Sequence, residues 1–149
     1  MNTKVLILAL LTLSCASTFK PYTSEWKVSD GNDIFYAGIS AKASEKAIAG
    51  DSVSMKQRTC IDATKSISTS SKISKYLVDA EKQSLNESEL RELGKQIASY
   101  RITPILLECQ PGPKDSMFGG TDWASCQCMY SVIYPGGRAA LQKDILKVK

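Results

Sequence analysis

The chain has 149 residues, with 19 Lys and Arg against 15 Asp and Glu for a formal net charge of +4, and it contains no histidine. That absence excludes Ser-His-Asp and Cys-His catalytic systems, a histidine general base and every histidine-bearing metal site. The basic residues are scattered rather than clustered, which speaks against a nucleic-acid partner, and the length suits one domain rather than two.

At the amino terminus a single charge, Lys4, precedes the apolar run Val5, Leu6, Ile7, Leu8, Ala9, Leu10, Leu11, and Thr12-Leu13-Ser14 lead into Cys15. This is the pattern of a signal peptide, and the run is far shorter than the roughly twenty residues a membrane-spanning helix needs. A small residue directly before a cysteine resembles the lipobox of bacterial lipoproteins in its looser, spirochaetal form, with Thr12 where leucine is usual. The resemblance implies cleavage before Cys15, a diacylglycerol on its sulfur and a membrane reached through the lipid. Cleavage after Ala16 is the competing reading, because Ser14-Cys15-Ala16 also fits a small-x-small rule. Losing Lys4 with the leader would lower the charge from +4 to +3. Ala16, rather than an aspartate, agrees with sorting to the outer membrane. The expected layout is a leader over 1–14, a lipidated tether over 15–30 and a domain over 31–149, with Trp26 as the point where the tether docks.

After the turn signal Asp30-Gly31-Asn32-Asp33, the aromatic and branched run Ile34 to Ser40 reads as a strand, and Gly38 within it suggests a bulge or a close approach by a helix. From Ser44, a plausible N-cap, Ala47, Gly50, Val53, Cys60, Ala63 and Ile67 recur at helical steps. That places one helix to about Ile67, with Asp51, Lys56, Arg58, Asp62 and Lys65 toward water. The Ser/Thr-rich residues 66–71 read as a loop or strand edge, and the first half of 72–83 as a strand. Asn86 with Glu89 fits a capping box ahead of Leu90, Leu93 and Ile97, so a helix begins there. Residues 101–109 read as a core strand, 110–120 as a long loop and 123–134 as a further strand stopped by Pro135-Gly136-Gly137. A closing helix follows over 138–149, carrying Leu141, Ile145 and Val148.

Four cysteines follow Cys15: Cys60, Cys109, Cys126 and Cys128. In an exported chain disulfides are the default. Cys126 and Cys128 share a strand face at about 6.5 to 7 Å between α-carbons, at or past the usual bridging range, so each should pair elsewhere. A hairpin of 101–109 with 123–134 would set Cys109 opposite Cys126 and leave Cys128 for Cys60. A four-thiolate zinc or iron-sulfur site is disfavoured because a C-x-C replaces the two C-x-x-C knuckles such sites use, and no C-x-x-C redox pair is present. Buried, unpaired thiols remain open at this point.

The lipobox, the strand Phe35-Tyr36-Ala37-Gly38-Ile39-Ser40, the helix carrying Arg58-Thr59-Cys60-Ile61-Asp62-Ala63 and the aromatic segment Tyr130 to Tyr134 together resemble the twenty-kilodalton LPP lipoprotein family of bacterial outer membranes. The resemblance covers roughly residues 34–134, and the four cysteines depart from the family's pattern. It implies a single α+β domain, a small, mostly antiparallel sheet covered on one face by helices, with no catalysis and no cofactor.

The expected function is therefore that of an outer-membrane-anchored lipoprotein with a structural or interaction role, its partners being the membrane and possible envelope proteins or peptidoglycan. A small-ligand or peptidoglycan binder using Met117, Phe118 and Trp123 as an apolar lip is the alternative. A carboxylate enzyme built on Glu108, Asp115 and Asp122 near the long loop is the weakest reading, since scattered acids are usually solvated.

Overall fold

The computed structural model describes residues 19–114 and 119–149. Cys15 with the leader before it, and Asp115, Met117 and Phe118 of the loop, lie outside that range. Four strands, β1 (Glu25–Ser29), β2 (Asn32–Lys42), β3 (Ile105–Pro113) and β4 (Thr121–Ile133), form one antiparallel sheet in the order β1-β2-β4-β3. The helices are α1 (Glu45–Ala49), α2 (Val53–Ile67), α3 (Ser70–Ala80), α4 (Glu87–Ser99) and α5 (Gly137–Val148). The class is α+β in a single domain, as the sequence led us to expect.

Alternation along the two central strands decides which face the helices cover. Phe35, Ala37 and Ile39 of β2 and Cys128, Tyr130 and Val132 of β4 all point to one side and are buried there. Ile73, Leu77 and Val78 of α3, Leu93 and Ile97 of α4, and Leu141 and Ile145 of α5 close over them into one apolar cluster. The capping box appears as expected: the Asn86 side chain accepts from the N–H groups of Ser88 and Glu89 at 3.0 Å each, and Glu89 accepts from the Asn86 N–H at 2.8 Å.

Several expectations are corrected. Residues 72–83 are not a strand at their start, because Ile73 and Leu77, four apart, both face the core as a helix requires. The single helix expected over 44–67 is two. Ser44 caps α1, the backbone then turns through Asp51 at a φ of 46°, and Ser52 caps α2 anew. Lys56 does not face water: it is 4% exposed. β3 does not end at Cys109 but runs on through Pro111 to Pro113, which a sheet tolerates because β3 is an edge strand.

The end of the segment expected to be a tether is part of the domain. Residues 25–29 are a strand of the sheet, with Trp26 lying 5.3 Å from the Phe35 ring between centroids, and the segment before them is fastened to the sheet as well.

Candidate functional site

The face of the sheet away from the helices is crossed by the chain ahead of β1. Ser24 Oγ accepts from the Gly38 N–H at 3.1 Å. Tyr22 then lies over the middle of the sheet, where the Gln127 side chain behaves as a peptide group. Its Oε1 accepts from the Tyr22 N–H at 2.5 Å and its Nε2 donates to the Tyr22 carbonyl at 3.0 Å. One step on, Gln110 Nε2 donates to the Lys20 carbonyl at 2.7 Å. Gln127 is 8% exposed although it faces away from the core, because this strap covers it. The strap needs Gly38: a β-carbon there would lie 2.5 Å from the Tyr22 carbonyl oxygen. Gly38 thus marks a close approach, made by this strap and not by a helix as expected. Burial pushes the Tyr22 phenol above its ordinary pKa, and a hydrogen bond with Glu108 adds to the rise.

Beside the strap lies an apolar cleft of about 440 Å³. Phe19 and Pro21 wall one side, with Ala41, Lys42, Pro113 and Cys126 among the residues opposite. It sits where β2 and β3 end and β4 begins, at the end of the sheet that α1 and the start of α2 also occupy.

At this end α2 is joined to β4 by three ties with the same step on both elements. Lys56 Nζ meets Asp122 at 3.0 Å, Cys60 is disulfide-bonded to Cys126, and Thr64 Oγ1 shares a 2.8 Å hydrogen bond with the Tyr130 hydroxyl. Positions 56, 60 and 64 are successive turns of one helix face, while 122, 126 and 130 recur at the same step of four along β4. Lys56 also reaches Asp51 at 2.9 Å. The hydrogen bonds that Lys56 donates to these two carboxylates hold its ammonium above the ordinary pKa, and the bond to Asp122 holds that carboxyl below the usual carboxylate range.

The second disulfide joins Cys109 to Cys128, direct cross-strand neighbours with α-carbons 4.0 Å apart. All four cysteines expected to bridge do so, but the partners are exchanged relative to the expected Cys109–Cys126 and Cys60–Cys128. A β-bulge at Leu107 is the cause. Ile105 pairs with Ser131 on the outer face, Glu108 with Met129, and Cys109 then falls opposite Cys128 on the inner face, leaving Pro111 opposite Cys126. Without the bulge Ile105, Leu107 and Cys109 would share a face, as the expected pairing requires.

The candidate acids do not converge. Asp122 pairs in register with Gly112 near one end of the sheet, and Glu108 lies four residues from Gly112 on β3, so the two are roughly 13 Å apart along that strand. Asp122 is engaged by Lys56. Trp123, the one member of the expected lip within the described residues, is half-buried and rests on the Cys60–Cys126 disulfide with Ala43. Among the described residues no group of three or more His, Cys, Asp and Glu side chains stands close enough to hold a metal ion.

A third polar group, at the opposite end, went unread in the sequence. Asp144 is 4% exposed and accepts from the hydroxyls of Tyr134 at 2.8 Å and Tyr100 at 2.9 Å and from Lys147 Nζ at 2.9 Å. Burial alone would raise the Asp144 pKa, but the bonds from Lys147, Tyr134 and Tyr100 outweigh it and hold the carboxyl below its ordinary value. Burial, with Asp144 opposite, drives Tyr134 far above the ordinary phenol pKa. The signal for this group was Asp144 standing between Leu141 and Ile145 on the apolar stripe of α5.

Comparison with protein-family models, with curated proteins and with solved structures finds no match.

Proposed function

We propose that the protein is a lipoprotein anchored in the bacterial outer membrane through Cys15, with a structural or interaction role and no catalysis. The observation that carries the reading is the state of the four cysteines beyond Cys15: all are joined in two disulfides, Cys60–Cys126 and Cys109–Cys128. Structural disulfides of this kind persist in the envelope or outside the cell and are rare in the cytosol. The apolar leader ending at Ser14-Cys15 supplies the export signal and the attachment point for the same compartment. Likeness in residue pattern to the twenty-kilodalton LPP lipoproteins adds to this reading. Interaction fits the polar ties better than chemistry does, since Lys56, Asp122 and Asp144 each spend their charge on a structural partner.

The test is the intact mass of the protein extracted from membranes, before and after reduction and alkylation. The expected mass is that of residues 15–149 plus two or three acyl chains, with alkylation only after reduction. An unacylated chain beginning after Ala16 would overturn the anchor, and alkylation without reduction would overturn the compartment.

A further inference from the structure

Resting on lipidation at Cys15 as proposed above, we propose that the domain lies directly on the bilayer, with the α1–α2 end of the sheet and the cleft beside Phe19 as its membrane-facing surface. The first argument is chain length. Four peptide steps separate Cys15 from Phe19, and a fully extended chain covers at most about 3.6 Å in each, so Phe19 can stand no more than about 14 Å from the lipidated residue. Phe19 itself walls the cleft, and from Lys20 to Ser24 the strap is fastened to Gln110, Gln127 and Gly38. No further tether can be paid out while the strap holds. A free tether running to Asp30 would have allowed the domain to stand off or tumble.

The second argument is what this end presents. Ile48, Val53 and Met55 are 41%, 62% and 46% exposed, on α1 and the first turn of α2. The tie of Lys56 to Asp122 fixes that turn beside the start of β4, next to the cleft. Lys20, Lys42, Lys46 and Lys114 surround the same region and are exposed. Among the described residues the acids there are Glu45, Asp51 and Asp122, and the last two are engaged by Lys56. Apolar side chains ringed by lysines suit the boundary between acyl chains and anionic headgroups, to which nearby lysines are attracted. Val28 and Ile133, also exposed, sit at the far end of the sheet, roughly 30 Å away along β2, and serve as internal controls.

The experiment uses the mature lipidated protein, its acylation verified by intact mass, in vesicles of phosphatidylcholine and phosphatidylglycerol that carry a diazirine-bearing phospholipid. After irradiation, lipid adducts are mapped by peptide mass spectrometry. Adducts are expected on residues 19–21, 42–56 and 111–114, and not on 26–36 or 131–149. The triple variant Ile48→Ser, Val53→Ser, Met55→Ser, which alters only exposed side chains, should give about fivefold fewer adducts at this end, whereas Val28→Ser should give as many as the parent. Acylated protein with adducts spread evenly, or concentrated around Val28 and Ile133, would overturn the membrane-facing surface and leave the lipoprotein reading standing. Protein that carries no acyl chain would remove that reading and this one together.

Discussion

The two ends of the sheet are held by different physics. Toward the start of β2 and the start of α5 the cluster is large, with Phe35, Tyr130, Tyr134, Leu77, Leu93, Ile97, Leu141 and Ile145 all essentially inaccessible to water. At the other end the buried apolar residues are Ala43, Cys60 and Cys126, with Ala41 and Trp123 against them. Burial contributes in proportion to apolar area, and small side chains supply little of it. There the disulfide and the Lys56 ion pairs stand in for a core. A region that leaves Ile48, Val53 and Met55 outside its own core is therefore stable enough to present them to something else.

The largest effect should come from removing that substitute. Closing a loop with a sequence separation of 66 restricts the unfolded chain by about 4 kcal/mol. The double variant Cys60→Ala, Cys126→Ala should lose about that much in urea unfolding. Cys109→Ala, Cys128→Ala, closing a loop of separation 19, should lose about 3 kcal/mol. Equal losses, or a larger one for the second pair, would break the contrast between the ends.

At the well-packed end the comparable change is a cavity. Leu93→Ala should cost about 3 kcal/mol, and with both disulfides intact the transition should remain cooperative. Proteolysis would sharpen the point, because the Cys60 and Cys126 double variant should be cut first within 43–60 while Leu93→Ala should not.

The legible parts of this fold were those written in local pattern. Phe35, Ala37 and Ile39 announce a strand buried on one face. The Asn86 to Glu89 box announces a helix start, and Gly38 announces a close approach. Less legible were features fixed by distant partners. Lys56 looked like a solvent residue because its two carboxylates, Asp51 and Asp122, are not jointly visible along a helix, and 66 residues separate Lys56 from the second. The disulfide pairing turned on a one-residue bulge at Leu107, to which a pattern of alternation is blind. The strap of residues 19–24 looks like free chain because its bonds at Lys20 and Tyr22 to Gln110 and Gln127 are made by backbone groups, which every sequence possesses, with the partners supplied from the far side of the molecule.

Next in size is the buried hydroxyl at the apolar end. Tyr134→Phe should cost about 2 kcal/mol, since it withdraws a donor from a buried carboxylate. The same variant has a pH signature. Asp144 titrates in the folded protein below its ordinary value of 3.8, so its ionised form adds stability that is complete above that value and is lost as pH falls through the folded pKa. Without Tyr134 as donor the folded pKa moves back up, and the acid limb of stability against pH should become shallower. An unchanged acid limb in Tyr134→Phe would mean that Lys147 and Tyr100 suffice to hold the Asp144 charge.

The smallest effect contrasts two helix caps. Asn86 satisfies two N–H groups of α4 at 3.0 Å and is bonded in return by Glu89, whereas Ser52 Oγ lies 3.5 Å from the Met55 N–H that it caps on α2. A cap of full geometry is worth about 1 kcal/mol and a stretched one only a few tenths. Asn86→Ala should therefore cost about 1 kcal/mol and Ser52→Ala about 0.3 kcal/mol, read as shifts in urea midpoint. The difference follows from how each helix is fixed. The α4 helix packs on the core through Leu93 and Ile97 and needs its own ends satisfied, while α2 is bonded to β4 at Cys60 and tied again at Lys56 one turn before it. In the Cys60→Ala, Cys126→Ala background that second support is gone, and Ser52→Ala should then cost more than in the parent. A cost that stays the same would show that the cap and the disulfide act independently, and that the start of α2 is held by Lys56 alone.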